Sequence, residues 1–308
     1  MGYHSMNNFK KPLLLIIGLL LLVLFVSVVY SSIFKTDAEP ERIRYNDSGE
    51  VIGKAPFPPS LTQPMGTDKV GNDLAVRMIE GAKYTILFIT GVSFLRILVS
   101  LIIAYFLVFP FKRISEWVET VFIPFKYIPG LILVLLLSPD LNEAIVQMGF
   151  WKIVLYQFFL FVFIGIPILS AVLTKESRNV LKNEYIEASN QLGASSWRIY
   201  TKHIIPVLKD RLIVTFLQQL SINLLLLIQL GVFQYFIGGS KPGNIAAAEE
   251  VVPKYLSESG EWAGMIGQGK DEFLTAPWTF FGPLLISVVF LILIKSLVNK
   301  VEDANRKI

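Results

Sequence analysis

EYIEASNQLGASSWRIYTKHIIP, Glu184 to Pro206, is a polar and basic island between two of the most apolar runs of the chain. Tyr185, Ala188, Ser189 and Leu192 recur at helical spacing, with Glu184, Glu187 and Gln191 elsewhere, so its first part is predicted as a short amphipathic helix. Gly193 is predicted to end that helix, because a glycine at φ > 0 lets the last carbonyls be bonded. Ser195 or Ser196 then suits the cap of a second helical piece carrying Trp197, Arg198 and Tyr200, and Pro206 suits the start of the next apolar run. Helix, glycine elbow, helix and proline make a rigid two-part protrusion with an apolar anchor at each flank. Such a shape suits docking into the groove of a soluble partner.

Outward from the island, the chain is a membrane protein by composition. Its 308 residues are 53% hydrophobic and 17% charged, a balance that excludes an ordinary soluble domain. There is no cysteine, which removes disulfides, thiolate catalysis and zinc–thiolate sites from consideration. Leu13 to Ile33 is an uncharged run of 21 residues, long enough to cross a hydrocarbon core of about 30 Å. It exceeds the apolar region of a cleaved leader and is read as a retained first span. Further apolar runs lie near Tyr84–Phe109, Val121–Leu137, Ile153–Leu173, Val207–Ile237 and Pro277–Val298, which makes six expected spans. Between the first and second, the prolines of residues 56–64 keep the chain irregular, and Asp68 to Lys83 is predicted as an amphipathic helix. The expected division is thus 1–34 for the N-terminus and first span, 35–83 for an extracytoplasmic loop, and 84–308 for a five-helix core that includes 184–206.

Charge orients the spans. Lys112 and Arg113 fall in one connection, Lys175, Arg178, Lys182, Arg198, Lys202, Lys209 and Arg211 surround the island, and Lys300, Arg306 and Lys307 end the chain, whereas Ser138 to Trp151 holds no Lys or Arg. By the positive-inside rule both termini and the island are expected in the cytoplasm.

The island resembles the EAA loop of ABC-importer permeases: Glu187, Ala188, Gly193, Ile205 and Pro206 match its pattern, Ser189 replaces the second Ala, and His203 replaces an Ile. The ending His203-Ile204-Ile205-Pro206 is similar to that of the oligopeptide, dipeptide and nickel branch. A second stretch, with Pro64, Gly66, Thr67, Asp68, Gly71 and Asp73, resembles another signature of that branch, although Asn72 replaces its Arg. A third, with Trp262, Met265, Gly269, Pro277 and Trp278, is similar to the stretch before its last span. The chain departs from the branch at Leu226–Gly231, and Lys241 to Glu258 looks inserted. The resemblance implies an all-α, six-span type I permease in a bacterial inner membrane. It implies a coupling surface made of Glu184, Tyr185, Glu187, Ala188, Ser189, Gly193, Ala194, Ser195, Trp197 and Pro206. It also implies two ABC ATPase subunits, a second homologous permease and an extracytoplasmic substrate-binding protein as partners, with lipid around them and no nucleic acid. Peptides or a related small solute would be the cargo, and Gly193→Asp would uncouple uptake from ATP hydrolysis. The alternative is a degenerate permease that serves as a signalling or assembly platform.

Other residues carry weaker signals. Arg96, near the middle of the second span, costs about 2.5 to 3.5 kcal/mol there on insertion scales. It therefore faces either an anionic substrate group in a translocation path or a carboxylate or carbonyls of a neighbouring helix or of a second permease subunit. Thr215, Gln219, Asn223 and Gln234 fall on one side of the fifth span, edged by Gln218 and Gln229. That stripe reads equally as a hydrated path wall or as hydrogen-bonding glue between helices. Asp68, Asp73 and Glu80 suit a capped helix better than a cation site. Gly264, Gly269 and Lys270 have P-loop spacing, but Asp271 stands where Mg²⁺ needs Ser or Thr. The two histidines, His4 and His203, lie outside the spans, so Ser93 in Gly91-Val92-Ser93 has no buried base and no catalytic residue is expected. No cofactor and no metal are expected either.

Overall fold

The computed structural model describes residues 18, 20–30, 32, 41–138, 149–242 and 255–306. Among these, four helices are long and apolar enough to cross a membrane. They are α2 (Leu74–Val108), α5 (Phe150–Leu181), α7 to α8 (Ser196–Ile199, then Ile205–Val232 after a π turn) and α10 (Trp278–Arg306). A shorter apolar helix, α1 (Leu20–Tyr30), covers the described part of the first expected span; residues 13–17 lie outside the described residues. The tip of the apparent insertion after Lys241 and most of the Ser138–Trp151 connection also lie outside them.

Three expectations about elements change. The second span begins earlier than expected. Asp68 accepts the N–H groups of Val70 and Asn72, both at 2.9 Å, in a turn, and Asp73 caps α2 by accepting from Ala75 at 2.8 Å and Val76 at 3.2 Å. With the cap at Asp73, the amphipathic stretch and the second span form one continuous helix of 35 residues, and the expected boundary at 83/84 falls inside it. Two of the three carboxylates considered for a cation, Asp68 and Asp73, are thereby engaged by turn and cap.

The third apolar run is not a straight span. It is α3 (Ser115–Phe122), a 3₁₀ turn (Ile123–Lys126) and α4 (Gly130–Leu137), and the two helices meet at 92°. Pro124 and Pro129 explain the break, since neither donates an N–H and each restricts the residue before it. Arg178 of α5 holds α3 through Glu119 at 2.9 Å and through Ser115.

Pro206 stands in the first turn of α8, as expected, but that helix is not separate from α7. The proline lies within a continuous helical rod, where its missing N–H is absorbed by a π turn over Tyr200–Ile204 in which the Ile205 N–H reaches back to the Tyr200 carbonyl. The rod ends at Val232 rather than Ile237.

Helices α2, α5 and α8 pack around one apolar core that includes Ile86, Ile89, Phe161, Leu217, Leu220 and Leu224. At the end of the bundle away from the elbow, a buried helix α9 (Trp262–Gly269) wedges among α2, α8 and α10. Glycines permit this. A Cβ on Gly267 would stand 1.9 Å from the Gly231 carbonyl oxygen, and one on Gly231 would stand 2.1 Å from that of Ala263. Close backbone approach also accounts for the P-loop-like spacing: Gly269 lies against the Thr279 carbonyl, and the Lys270 ammonium donates to the Val232 carbonyl at 2.7 Å, capping α8. Two short antiparallel hairpins, β1–β2 (Ile43–Tyr45, Val51–Lys54) and β3–β4 (Ser240–Pro242, Tyr255–Ser257), extend that same end.

Candidate functional site

The island folds as an elbow. Helix α6 (Glu184–Gln191) ends in a left-handed Gly193, φ +82°, with the Ala194 N–H bonded to the Ser189 carbonyl and the Gly193 N–H to that of Asn190. That pair of bonds is a Schellman closure, which a glycine accommodates without strain. Ser195 then caps α7, accepting the Arg198 N–H at 3.3 Å.

The face of α6 that packs is not the one its spacing suggests. Ile186 is the buried residue, seated in a cluster with Val180, Ile199, Tyr200, Ile204 and Leu208, and Ser189 and Ala194 are half-buried beside it. Tyr185, Ala188 and Leu192 point away, and Leu192 is 89% exposed. Trp197 is also exposed, braced edge-on by Tyr105 of α2 with ring centroids 5.2 Å apart. Glu184, Glu187, Gly193, Ser195 and Pro206 complete the outward surface. Large apolar side chains standing free on a rigid elbow make a surface fit for a groove.

Inside the bundle, two polar rungs link α2 to α8. Arg96 is 3% exposed; its Nε donates to the Phe161 carbonyl of α5 at 2.9 Å, Nη2 donates to the same oxygen, and Nη1 donates to Gln219 Oε1 at 2.9 Å. Gly165 makes the space, because a Cβ there would lie 2.3 Å from Nε. The second rung runs from Asn223 Nδ2 to Ser93 Oγ at 2.9 Å, and Ser93 donates onward to the Ile89 carbonyl at 2.6 Å. Asn223 Oδ1 is buried with no protein partner. Of the expected stripe, Thr215, Gln219 and Asn223 turn inward, whereas Gln218 and Gln229 are exposed. Gln234 is off the stripe altogether. It lies past the end of α8 at φ +59°, where the Tyr235 N–H returns to the Leu230 carbonyl.

At the far end, Glu261 is a residue that the sequence pattern did not single out. Its carboxylate is wholly buried and accepts from Ser257, Ser259 and, at 3.0 Å, the Ile237 N–H, which ties β4 and the end of α8 to α9. Burial raises the Glu261 carboxyl above its ordinary value, against the downward pull of those hydrogen bonds.

Long apolar helices around buried polar rungs, with an elbow presented at one end, define a polytopic helical membrane protein. The sequence profile described as "Binding-protein-dependent transport system inner membrane component" matches residues 96–307, and the chain belongs to that family. It is similar to the oligopeptide transport system permease protein OppC of Bacillus subtilis, 24% identical over 91% of this chain and 80% of that protein. It is also similar to the dipeptide transport system permease protein DppC of Alkalihalophilus pseudofirmus, 22% identical over 91% of this chain and 81% of that protein. The oligopeptide permease AmiD of Streptococcus pneumoniae matches at 26% identity over 68% of this chain and 64% of its own length. The chain is therefore a transmembrane permease of an ABC importer in a bacterial inner membrane, and not an enzyme. ATPase and substrate-binding partners follow from that membership. These relatives are transport permeases, which favours transport over the platform reading.

Proposed function

We propose that the chain forms one half of the translocation path for peptides or a related small solute, paired with a second homologous permease. In this reading the elbow docks in the cleft of one of two ATPase subunits. The cargo class rests on the relatives' names. The observation that carries the docking role is the outward set of Tyr185, Leu192 and Trp197 on either side of left-handed Gly193. The basic loops favour a cytoplasmic elbow and cytoplasmic termini, with the segment before the Asp73 cap and α9 outside, where a binding protein delivers substrate. When nucleotide closes the ATPase pair, the groove holding the elbow moves, and the attached helices rock between inward and outward access.

The exposed face of α8 supports the paired path. Gln218, Ile222, Leu225 and Gln229 follow one another at helical spacing and are all exposed in the single chain. Exposed amides are costly against lipid, so this face is assigned to the second permease or to the hydrated path between them. In the path reading, Arg96 and Gln219 stand behind that face, with Asn223 one turn further along.

The test is purification of the tagged chain in mild detergent with identification of partners. An ATPase and a second permease recovered with wild type, with the ATPase lost and the second permease kept in Leu192→Asp plus Trp197→Asp, are the expected result. A folded chain that carries its ATPase equally well with both substitutions would remove the elbow from the coupling role.

A further inference from the structure

Helix α6 has eight residues, too few to be stable alone, so its position relative to the rod must come from contacts outside itself. Gly193 does not supply them. Nothing lies within 4 Å of a Cβ built on it, so the elbow stands clear and joins the two pieces through backbone only. Ile186 seats one side of α6 in the apolar cluster. The other attachment is polar: Ser189 Oγ lies 3.4 Å from His203 Nε2, and the rings of Tyr185 and His203 lie 6.3 Å apart, centre to centre. Tyr185 and Ser189 are four residues apart, one turn, so the imidazole spans a single face of α6.

His203 sits inside the π turn. Each helical residue turns the chain by about 100°, so the turn's extra residue sets the direction in which His203 points. The same turn is anchored to α2, where the Tyr200 hydroxyl donates to the Leu101 carbonyl at 2.8 Å. We propose that His203 and Ser189 form a latch that holds α6 to the π turn, and that movement of the docked elbow reaches α8 through this latch. His203 is a positioning residue in this assignment. Either imidazole tautomer supports the contact, with the hydroxyl donating to a bare Nε2 or accepting from a protonated one. Ser189 and His203 are also the two places where the island departs from the Ala and Ile of the EAA pattern, so a polar pair stands where that pattern has an apolar one.

The proposal rests on the coupling reading above, and its test separates the two. The chain has no cysteine, so Phe159→Cys on α5 and Phe233→Cys at the end of α8 place two spin labels at exposed positions of this subunit. In the complex with its co-purified ATPase, ATP with vanadate is expected to shift the label distance. Ser189→Ala should lose at least about half of that shift while the ATPase stays bound, and Ser189→Thr, which keeps the hydroxyl, should retain it. Without the ATPase, amide exchange in 187–192 should rise about 2- to 10-fold in Ser189→Ala, the worth of one hydrogen bond, and not in Ser189→Thr. Unchanged exchange in Ser189→Ala would overturn the latch. Faster exchange with a full label shift would overturn its role in transmission. No shift in wild type with ATPase bound would overturn the lever reading itself.

Discussion

Arg96 of α2 and Gln219 of α8 meet at 2.9 Å across the interior of the bundle, with the guanidinium's other donors on the Phe161 carbonyl of α5. One cation thus joins three helices with no carboxylate among its hydrogen-bond partners. Within this chain its partners are one backbone carbonyl and one side-chain amide oxygen.

That seat exists because residue 165 has no side chain. Gly165→Ala would place a methyl carbon 2.3 Å from Arg96 Nε and displace the guanidinium. A loss of about 1–3 kcal/mol, the usual cost of overpacking, is expected as a lower melting temperature of the detergent-solubilised chain. A wild-type melt would show that Arg96 does not occupy this position.

The neighbouring rung should behave as ordinary membrane glue. Ser93→Ala and Asn223→Ala, singly and together, are expected to give a coupling of about 0.6 kcal/mol. A coupling near zero would mean that the contact of Asn223 Nδ2 with Ser93 contributes nothing. Altered substrate preference with unchanged assembly would instead favour a path-lining role.

At the elbow, backbone conformation decides the ranking of substitutions. Gly193 is at φ +82° with open space around it, so a replacement is strained by its backbone and not by a clash. Asn and Asp visit this region more readily than other residues, whereas Val suffers about 1–2 kcal/mol or more. ATPase recovery should therefore follow Gly, then Asn, then Asp, then Val, and Gly193→Asp is a milder lesion than the motif alone suggests. Equal recovery with Val would refute the requirement for a left-handed residue.

Stability should depend on pH through Glu261. Its folded-state value is raised, so its contribution is complete below the unfolded value and is lost as pH rises through the folded one. Glu261→Gln keeps an acceptor for the Ile237 N–H and an amide facing the serine hydroxyls, without the buried charge. The variant is expected to melt higher than wild type at neutral pH, with the difference closing on acidification. A gap that widens in acid would reverse the sign and count against this account.

The elbow was legible because its signals are local. A glycine after an eight-residue helix predicts a left-handed closure, and a serine before the next piece predicts a cap; both involve residues within a turn or two. Run length likewise marked the long apolar helices, since hydrophobic thickness is a property of the segment. The π turn around Pro206, the 92° break in the third run and the merging of the stretch after Asp73 with α2 were not legible, because apolar runs look alike whether straight, bent or fused. Gln234 was drawn onto the stripe by extending a helix past its real end at Val232.

The sequence by itself determined the membrane class, the elbow and its family resemblance, because periodicity, run length and glycine placement act over neighbouring residues. Only the tertiary structure decided that Ile186 faces in while Leu192 faces out, that Gly165 and Gly267 are spaces for a guanidinium and a backbone, and that Arg96 meets Phe161 and Gln219, 65 and 123 residues away. The reason is physical. A polar side chain in a bilayer takes whichever partner the packed helices bring within 3 Å, and that choice is made by how the helices pack.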